Sequence, residues 1–481
     1  MNIKKKTVNG AWWMFISTVI TSIVQLLRLS VLTHYLQKAD FGIVAIITFV
    51  LGLTYTFTDL GFSSAIIYKQ DLERKDFSSL FWIQLIVFSI LYVAISLISP
   101  IIADFYTEPS ISYLMPLTLL DLLLQGIGKL YDSVLQKEFK FKEIALRNIF
   151  ASVTSLIFAY IFAINGAGIY SLILSTLLNT TILNVTNFIL GQKQFPIAFY
   201  INLKKSSSLM KVGFYLTGTQ ILDYLSSKLD VMIIGKFLGT EALGIYNLSK
   251  EILYKVIILI NTIGNKVSLP LLAKAQNDIS LLSSYYKKIL HILTSINIPI
   301  IGIIFVLSLP IVELLYGNDY IESATVISIL SLWAIISCIA NPQGLLAVAT
   351  GRTNLSFNYT IVRIIISLPI VIISSMLSLK AIAWGQCALA FIMMYLGWKM
   401  QIYKIIKLPF KDYMSVILPK VLINSIVVLL IFPLMNFLSL SLLPIFQIII
   451  YSIIYIILYI LLYAIIRYKD LKSLVLFFVS K

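Results

Sequence analysis

The sequence predicts an all-α polytopic membrane protein with about fourteen transmembrane helices, and three observations favour this fold class. Of its 481 residues, 59% are hydrophobic and only 12% are charged, and the mean hydropathy is +0.95. Soluble domains carry about 25% charged residues. The apolar residues form long segments, and most Lys and Arg residues lie between them on alternate sides. No segment is long and polar enough for a separate soluble domain, so the whole chain is predicted to form one membrane domain.

Each predicted span is long enough to cross a bilayer, which needs about 20 helical residues. Four prolines, Pro116, Pro299, Pro310 and Pro369, lie within the spans, where neighbouring helices can satisfy the backbone groups that a proline frees. In chain order, the predicted spans cover residues 8–36, 41–68, 77–103, 111–135, 144–164, 167–190, 209–238, 241–267, 286–316, 321–349, 355–379, 381–402, 413–437 and 441–466.

The basic residues predict the orientation, because cytoplasmic loops of membrane proteins are rich in Lys and Arg. With the N-terminus inside, most of the 37 Lys and Arg residues fall in cytoplasmic segments or at span ends. Only Lys38, Lys236 and Lys380 fall outside. Both termini are therefore predicted to be cytoplasmic. The net charge of +16 is assigned to the surface beside anionic lipid headgroups, so a nucleic-acid partner is not expected.

An internal repeat divides the predicted helices into two sets. Residues 33–43 align with residues 235–245, an offset of 202 (235 − 33), and both segments read as helix, tight turn, helix. Six spans separate the copies, so both halves start on the same side of the membrane and are parallel. The predicted organisation is a lobe of spans 1–6 (residues 1–200), a lobe of spans 7–12 (201–407), and spans 13–14 with a cytoplasmic tail (408–481).

Ionisable residues inside the spans predict a polar interior hidden from lipid. A charge at the bilayer centre costs at least about 2.5–3.5 kcal/mol, so such residues are functional candidates by default. Their number is typical of a transporter. They are Arg28, Asp59, Asp121, Lys129, Asp132, Asp223, Lys228, Asp230, Lys250, Glu251, Lys255, Lys266 and Arg363.

Short stretches along the whole chain carry a resemblance to a known family. They are residues 8–13 (VNGAWW), 41–42 (FG), 59–67 (DLGFSSAII), 243–248 (LGIYNL), 317–320 (GNDY) and 341–344 (NPQG). Together they resemble the Wzx-type polysaccharide exporters of the MOP flippase superfamily, above all the branch of colanic-acid and teichuronic-acid exporters.

The resemblance implies two six-helix lobes around a central cavity lined largely by helices 1, 2, 7 and 8. Such proteins move undecaprenyl-diphosphate-linked oligosaccharide repeat units to the outer leaflet of the bacterial cytoplasmic membrane, for surface polysaccharide synthesis. It further implies alternating access, coupling to a proton or sodium gradient, and polysaccharide polymerase or assembly proteins as partners. The two trailing helices are expected to form a groove for the lipid tail among the bilayer lipids.

Four cations are candidates for binding the substrate diphosphate: Arg28, Lys228, Lys250 and Arg363. A guanidinium fits two phosphate oxygens at once. Arg28 has two further interpretations. The repeat offset places it opposite Asp230 (28 + 202), which predicts an ion pair closing an outer gate, and a structural pair within one lobe is also open. Arg363 either anchors the second lobe or faces the cavity.

Four acids are candidates for a gate or for ion coupling: Asp230, Glu251, Asp223 and Asp59. Glu251 stands four residues before Lys255, which is the favourable order for a pair on one helix face, so a structural role is equally open for these two. The position of Asp59 near the predicted cytoplasmic end of span 2 favours a structural tie or an inner gate.

No catalytic set, metal site or cofactor motif is expected, so the chain is not predicted to be an enzyme. The residues His34, His291, Cys338 and Cys387 make no ligand or nucleophile pattern, and no phosphate loop is present. Two alternatives stay open at this point. A small-molecule antiporter of the multidrug type would more often have twelve helices, and a membrane-embedded glycan polymerase or ligase would more often have a long extracellular loop.

Overall fold

The computed structural model describes residues 3–58, 62–68, 73–437 and 443–479, and helices make up nearly all of these ranges. They contain no β-strand, and their short irregular helices are a 3₁₀ turn at Asn318–Tyr320 and a π-helical turn at Trp398–Ile402. The α-helices are α1 Ile3–Thr33, α2 Lys38–Thr58, α3 Phe62–Tyr68, α4 Arg74–Tyr106, α5 Ile111–Lys137, α6 Phe141–Ile164, α7 Ile169–Gln192, α8 Leu203–Phe237, α9 Gly239–Lys274, α10 Ile279–Val306, α11 Ser308–Leu315, α12 Glu322–Ala349, α13 Thr353–Ser375, α14 Leu379–Gly397, α15 Tyr403–Ile406, α16 Phe410–Phe437 and α17 Pro444–Val479.

The helices confirm the predicted class, an all-α multi-pass membrane protein. Within the described ranges, 12 helices are long and apolar enough to cross a membrane. At predicted spans 7 and 8 stand α8 and α9, with 35 and 36 residues, which are long enough to cross but carry more charge. The count of fourteen spans stays a prediction.

Two predicted spans are interrupted where one helix was expected. The predicted span 41–68 contains α2, which ends at Thr58, and the short α3, which begins at Phe62. The predicted span 286–316 contains α10 and α11, which part at Leu307. Pro310 explains the second break, because its nitrogen carries no hydrogen and cannot bond the carbonyl of Val306.

The first of two compact units comprises Met1–Asn247. In it α5 packs between α4 and α7, α1 packs on α6, and α2 packs on α8. An aromatic cluster fills the space between α3, α4 and α5, where the rings of Phe77 and Tyr131 lie 4.9 Å apart. Leu97 and Ile101 on α4 are exposed, as side chains that face lipid would be.

The two copies of the repeat meet within this unit, at what we call the repeat glycine contact: Gly42 against Thr240, and Gly244 against Lys38. A Cβ on Gly42 would overlap the carbonyl oxygen of Thr240, and a Cβ on Gly244 would overlap that of Lys38. The predicted offset of 202 relates Gly42 to Gly244 and Lys38 to Thr240 (42 + 202 and 38 + 202), so the two contacts are equivalent. Only glycine lets the backbones approach this closely.

The second unit comprises Leu248–Lys481. In it α10 packs on α12 and α16, and α12 packs on α14. The carboxylate of Asp278 caps the start of α10, and hydrogen bonds from the Leu281 amide and from Ser280 hold its pKa below the ordinary value. Four tyrosines spaced four residues apart on α17 are buried against α10, α11 and α16: Tyr451, Tyr455, Tyr459 and Tyr463.

Candidate functional site

A polar cavity of about 110 Å³ lies in the first unit between α1, α6 and α7. Arg28 is the charged residue of its lining. Hydroxyl and amide side chains make up most of the rest of the wall, a composition suited to a polar or anionic group. The lining residues are Val24, Gln25, Arg28, Ser152, Ser155, Thr176 and Asn179.

Neutral oxygens orient the Arg28 guanidinium at this cavity. Its Nη1 donates to Ser155 Oγ at 3.0 Å and to Thr176 Oγ1 at 3.3 Å. Each hydroxyl donates in turn to a backbone carbonyl, Ser155 to Ser175 at 2.7 Å and Thr176 to Leu172 at 2.8 Å. The hydroxyl oxygens are therefore fixed as acceptors. They hold the guanidinium in place without adding a negative charge of their own.

A buried carboxyl, that of Asp121, lies beside α7, the helix that also lines this cavity. The side chain of Asp121 on α5 accepts a hydrogen bond from Gln125 Nε2 at 3.1 Å, and the hydroxyl of Thr180 lies near it. Gln125 Nε2 also donates to the hydroxyl of Tyr55 on α2, at 2.6 Å. Thr176 and Thr180 are four residues apart, so they lie on the same face of α7 and connect the two sites.

Asp230 on α8 is also buried, and it accepts hydrogen bonds from α8 itself and from the following helix, α9. Its Oδ2 accepts from the Tyr246 hydroxyl at 2.6 Å, and its Oδ1 accepts from the amide of Val231 at 3.0 Å. These bonds tie α8 to the start of α9, whereas the Arg28 guanidinium bonds hydroxyls of α6 and α7. The ion pair between Asp230 and Arg28 stays a prediction.

Comparisons with known proteins decide the family. A family model described as "Polysaccharide biosynthesis protein" matches residues 31–325, more than half of the chain. The chain belongs to this polysaccharide biosynthesis family.

Relatives in the family and a solved structure agree with that assignment. The chain is 25% identical over 426 residues to the teichuronic acid biosynthesis protein TuaB of Bacillus subtilis, covering 88% of each chain. It is 24% identical over 378 residues to the lipopolysaccharide biosynthesis protein WzxC of Escherichia coli, covering 79% of this chain and 77% of the relative. The lipid II flippase MurJ in an inward closed conformation matches 95% of this chain and 99% of its own, with a TM-score of 0.74 at 16% identity. The chain thus has the MurJ fold.

In this family member, Lys250 is buried beneath two aromatic rings. Its ammonium lies 5.6 Å from the ring centre of Tyr254 and 5.4 Å from that of Trp333. Such cation–π contacts stabilise a buried ammonium. A diphosphate would therefore reach Lys250 only in a conformation in which these rings have moved.

The remaining predicted residues differ in setting. Glu251 and Lys255 form the ion pair that their spacing predicts, at 2.9 Å. Asp223 is exposed, while Lys228 and Arg363 are half-buried, and all three stay candidates. Asp59 lies outside the described residues.

Sequence reasoning missed one buried cation, Lys420, which is not among the ionisable residues predicted to lie inside the spans. The structure shows that its side chain is only 2% exposed, at a contact between α16 and α10. Its ammonium donates to Thr294 Oγ1 at 2.8 Å and to the His291 carbonyl at 3.1 Å, and lies 3.0 Å from His291 Nδ1. Its position inside predicted span 413–437 was the available signal.

Proposed function

We propose that the chain translocates undecaprenyl-diphosphate-linked oligosaccharide repeat units across the bacterial cytoplasmic membrane by alternating access, for surface polysaccharide synthesis. The family, the biosynthetic names of TuaB and WzxC, and the fold shared with a lipid II flippase support this proposal. Moving such a lipid makes and breaks no covalent bond, which agrees with a transporter and not an enzyme.

The Arg28 cavity is the observation that carries the proposal. A lipid-linked glycan has a sugar part that needs a polar path and a diphosphate that needs a cation. The cavity supplies the cation, because a guanidinium is held at its wall, and its volume of about 110 Å³ lined by hydroxyls and amides suits a small anionic group such as a phosphate. Arg binds phosphate oxygens in pairs, and its hydrogen bonds to charged groups are stronger than those between neutral groups.

The same proposal assigns the other candidate residues. Lys228, Lys250 and Arg363 are proposed as further cations on the diphosphate path, reached in other conformations of the cycle. Asp230, Glu251, Asp223 and Asp59 are proposed as gate or ion-coupling acids. We place both termini in the cytoplasm and divide the chain into the lobes 1–200 and 201–407 with the additional helices of 408–481, and we expect polysaccharide polymerase or assembly proteins as partners.

A reconstituted assay tests the proposal. Purified protein is placed in liposomes that carry a prenyl-diphosphate glycan, and translocation is followed as protection of the glycan from an external glycosidase. The wild-type protein is expected to move the glycan out of reach of the glycosidase. Arg28→Gln is expected to slow this about tenfold or more, since hydrogen bonds to charged groups contribute about 1.5–3 kcal/mol.

Two variants serve as controls in this assay. Arg28→Lys keeps the charge but loses the two-pronged geometry, so an intermediate rate is expected. Lys380→Gln removes an exposed cation and should leave the rate unchanged. No translocation by folded wild-type protein would refute the proposed function, and full activity of Arg28→Gln would refute this diphosphate site.

A further inference from the structure

Asp121 is a buried carboxyl in the middle of a membrane-spanning helix. It is the eleventh residue of α5, Ile111–Lys137, and only 4% of its side chain is exposed. An acid at such a depth is costly to keep ionised in a membrane protein and marks a functional site by default.

The partners of Asp121 are neutral. They are the Gln125 amide nitrogen and the Thr180 hydroxyl, and among the described residues no cation forms an ion pair with this carboxyl. Because no ion pair among the described residues holds it as a carboxylate, this carboxyl is suited to gain and lose a proton.

The titratable groups that approach Asp121 on two neighbouring helices are few. α2 contributes Tyr55, which reaches Asp121 through Gln125. On α7 the residue near Asp121 is Thr180, which does not titrate. The one titratable residue of α7 is Tyr170, ten positions from Thr180 (180 − 170). Lys38 and Asp40 lie at the far end of α2.

The charges of the other neighbouring helices lie farther along or are paired. On α5, Asp132 is eleven residues from Asp121 (132 − 121), about 16 Å along the helix, and it pairs with Arg147 of α6 at 3.0 Å. Lys129 is eight residues from Asp121 (129 − 121), about 12 Å along the helix. On α4, the cations lie in the first turn, and Tyr92 is the titratable residue nearest the middle. Tyr68 ends α3.

We infer that Asp121 is the site that binds the transported proton and couples it to substrate at the Arg28 cavity. The inference rests on the proposed function and names its coupling ion. In each cycle the carboxylate accepts a proton from hydronium on one side of the membrane to form a neutral carboxylic acid and leave water, and it releases that proton to water as hydronium on the other side.

One face of α7 connects the proton site to the cavity. Thr180 contacts Asp121, and Thr176, one turn away, accepts from Arg28. A proton on Asp121 removes a negative charge beside Thr180, at the place where α5 packs on α7, and so changes the contact between these helices. Coupling between two bound species is reciprocal, so protonation of Asp121 changes substrate affinity by the same factor as substrate changes proton affinity.

Infrared difference spectroscopy on membranes containing the full chain tests proton binding directly. A pH change is expected to produce a carbonyl band of a protonated carboxylic acid in the wild type. Asp121→Asn should abolish this band. Asp132→Asn, the same substitution on the same helix at a carboxylate paired with Arg147, should retain it. Asp121→Glu should retain the band at a shifted frequency, which assigns it even if the asparagine variant fails to fold.

The liposome assay tests coupling. In the wild type, an imposed proton gradient is expected to raise the rate of glycan translocation, and a sodium gradient is not. In Asp121→Asn, the ratio of rates with and without the proton gradient should fall to unity. A band that survives in Asp121→Asn, or stays unshifted in Asp121→Glu, would overturn the inference, and so would a sodium-driven rate. If the wild type moves no glycan, the proposed function fails, while the infrared band still decides whether Asp121 binds a proton.

Discussion

Buried polar residues of this protein differ in how far along the sequence their partners lie. Glu251 and Lys255 are four residues apart on one helix, so their pairing follows from helical geometry alone. Arg28 and Ser155 are 127 residues apart, and no local pattern predicts their contact. The role of a charged residue in a membrane helix therefore depends on the neighbouring helix, which the sequence does not specify.

Lys420 provides a test at the scale of one residue. Lys420→Met keeps the length of the side chain but removes the donor to Thr294, to the His291 carbonyl and to His291 Nδ1. Leaving a buried polar group without its bond costs about 1–3 kcal/mol, so the thermal midpoint in detergent is expected to fall. Lys411→Met, an exposed lysine on the same helix, should leave the midpoint unchanged. Equal midpoints for the two variants would show that the Lys420 hydrogen bonds do not stabilise the contact between α16 and α10.

At the scale of helices, the sequence predicts where most helices lie but not how each one packs against its neighbours. The positions of most helices follow from hydrophobic length, and the helix–turn–helix at each copy of the repeat was expected. The break between α10 and α11 could have been expected from Pro310. The contact of α2 with the start of α9 could not, because it depends on the absence of a side chain at Gly42 and Gly244 and not on any hydrophobic pattern.

The repeat glycine contact is expected to close the transport path at the end of the helices that the basic residues assign to the outside. In Gly42→Ala, the new methyl group would overlap the Thr240 carbonyl, so α2 and α9 must move apart. Overpacking of this kind costs about 1–3 kcal/mol. Ile46 lies one turn further along α2 and is fully buried. A cysteine at Ile46 should therefore react faster with an external maleimide when Gly42→Ala is also present.

The matched control for this experiment is Gly344→Ala, since a Cβ at Gly344 has no neighbour within 4 Å. Combined with the cysteine at Ile46, it should leave the maleimide reaction at the rate of the single variant. Gly244→Ala should act in the same direction as Gly42→Ala because the repeat makes the two contacts equivalent. Unchanged labelling in both alanine variants would refute the role of this contact as a closure.

For the whole molecule, the fold class and the transporter character could be predicted because they depend on composition and on charges counted over many residues. The Arg28 cavity could not be placed in this way. It requires Arg28 of α1, Ser155 of α6 and Thr176 of α7 to converge, and two of these three are ordinary hydroxyl residues in apolar helices. The number of spans is only partly predictable from the sequence, because α8 and α9 are long enough to cross the membrane but rich in charge.

External labelling of single cysteines decides the number of spans. If α8 and α9 both cross, the turn between them faces outside, and both the residue before α8 and the residue after α9 face inside. If neither crosses, the turn faces inside. Phe237→Cys at the exposed end of α8 is expected to react with a membrane-impermeant maleimide added to intact cells, as is Tyr35→Cys between α1 and α2. Gln276→Cys after α9 should react only after the cells are opened.

Background reaction in this experiment should be small, because Cys338 and Cys387 are both buried. Labelling of Tyr35→Cys alone, with Phe237→Cys protected until the cells are opened, would contradict the crossing of α8 and α9. Without these crossings Lys228 and Lys250 would lie outside the membrane, and neither would be a candidate for the diphosphate path. Labelling of both Tyr35→Cys and Phe237→Cys in intact cells, with Gln276→Cys protected, would place all the candidate cations within crossing helices.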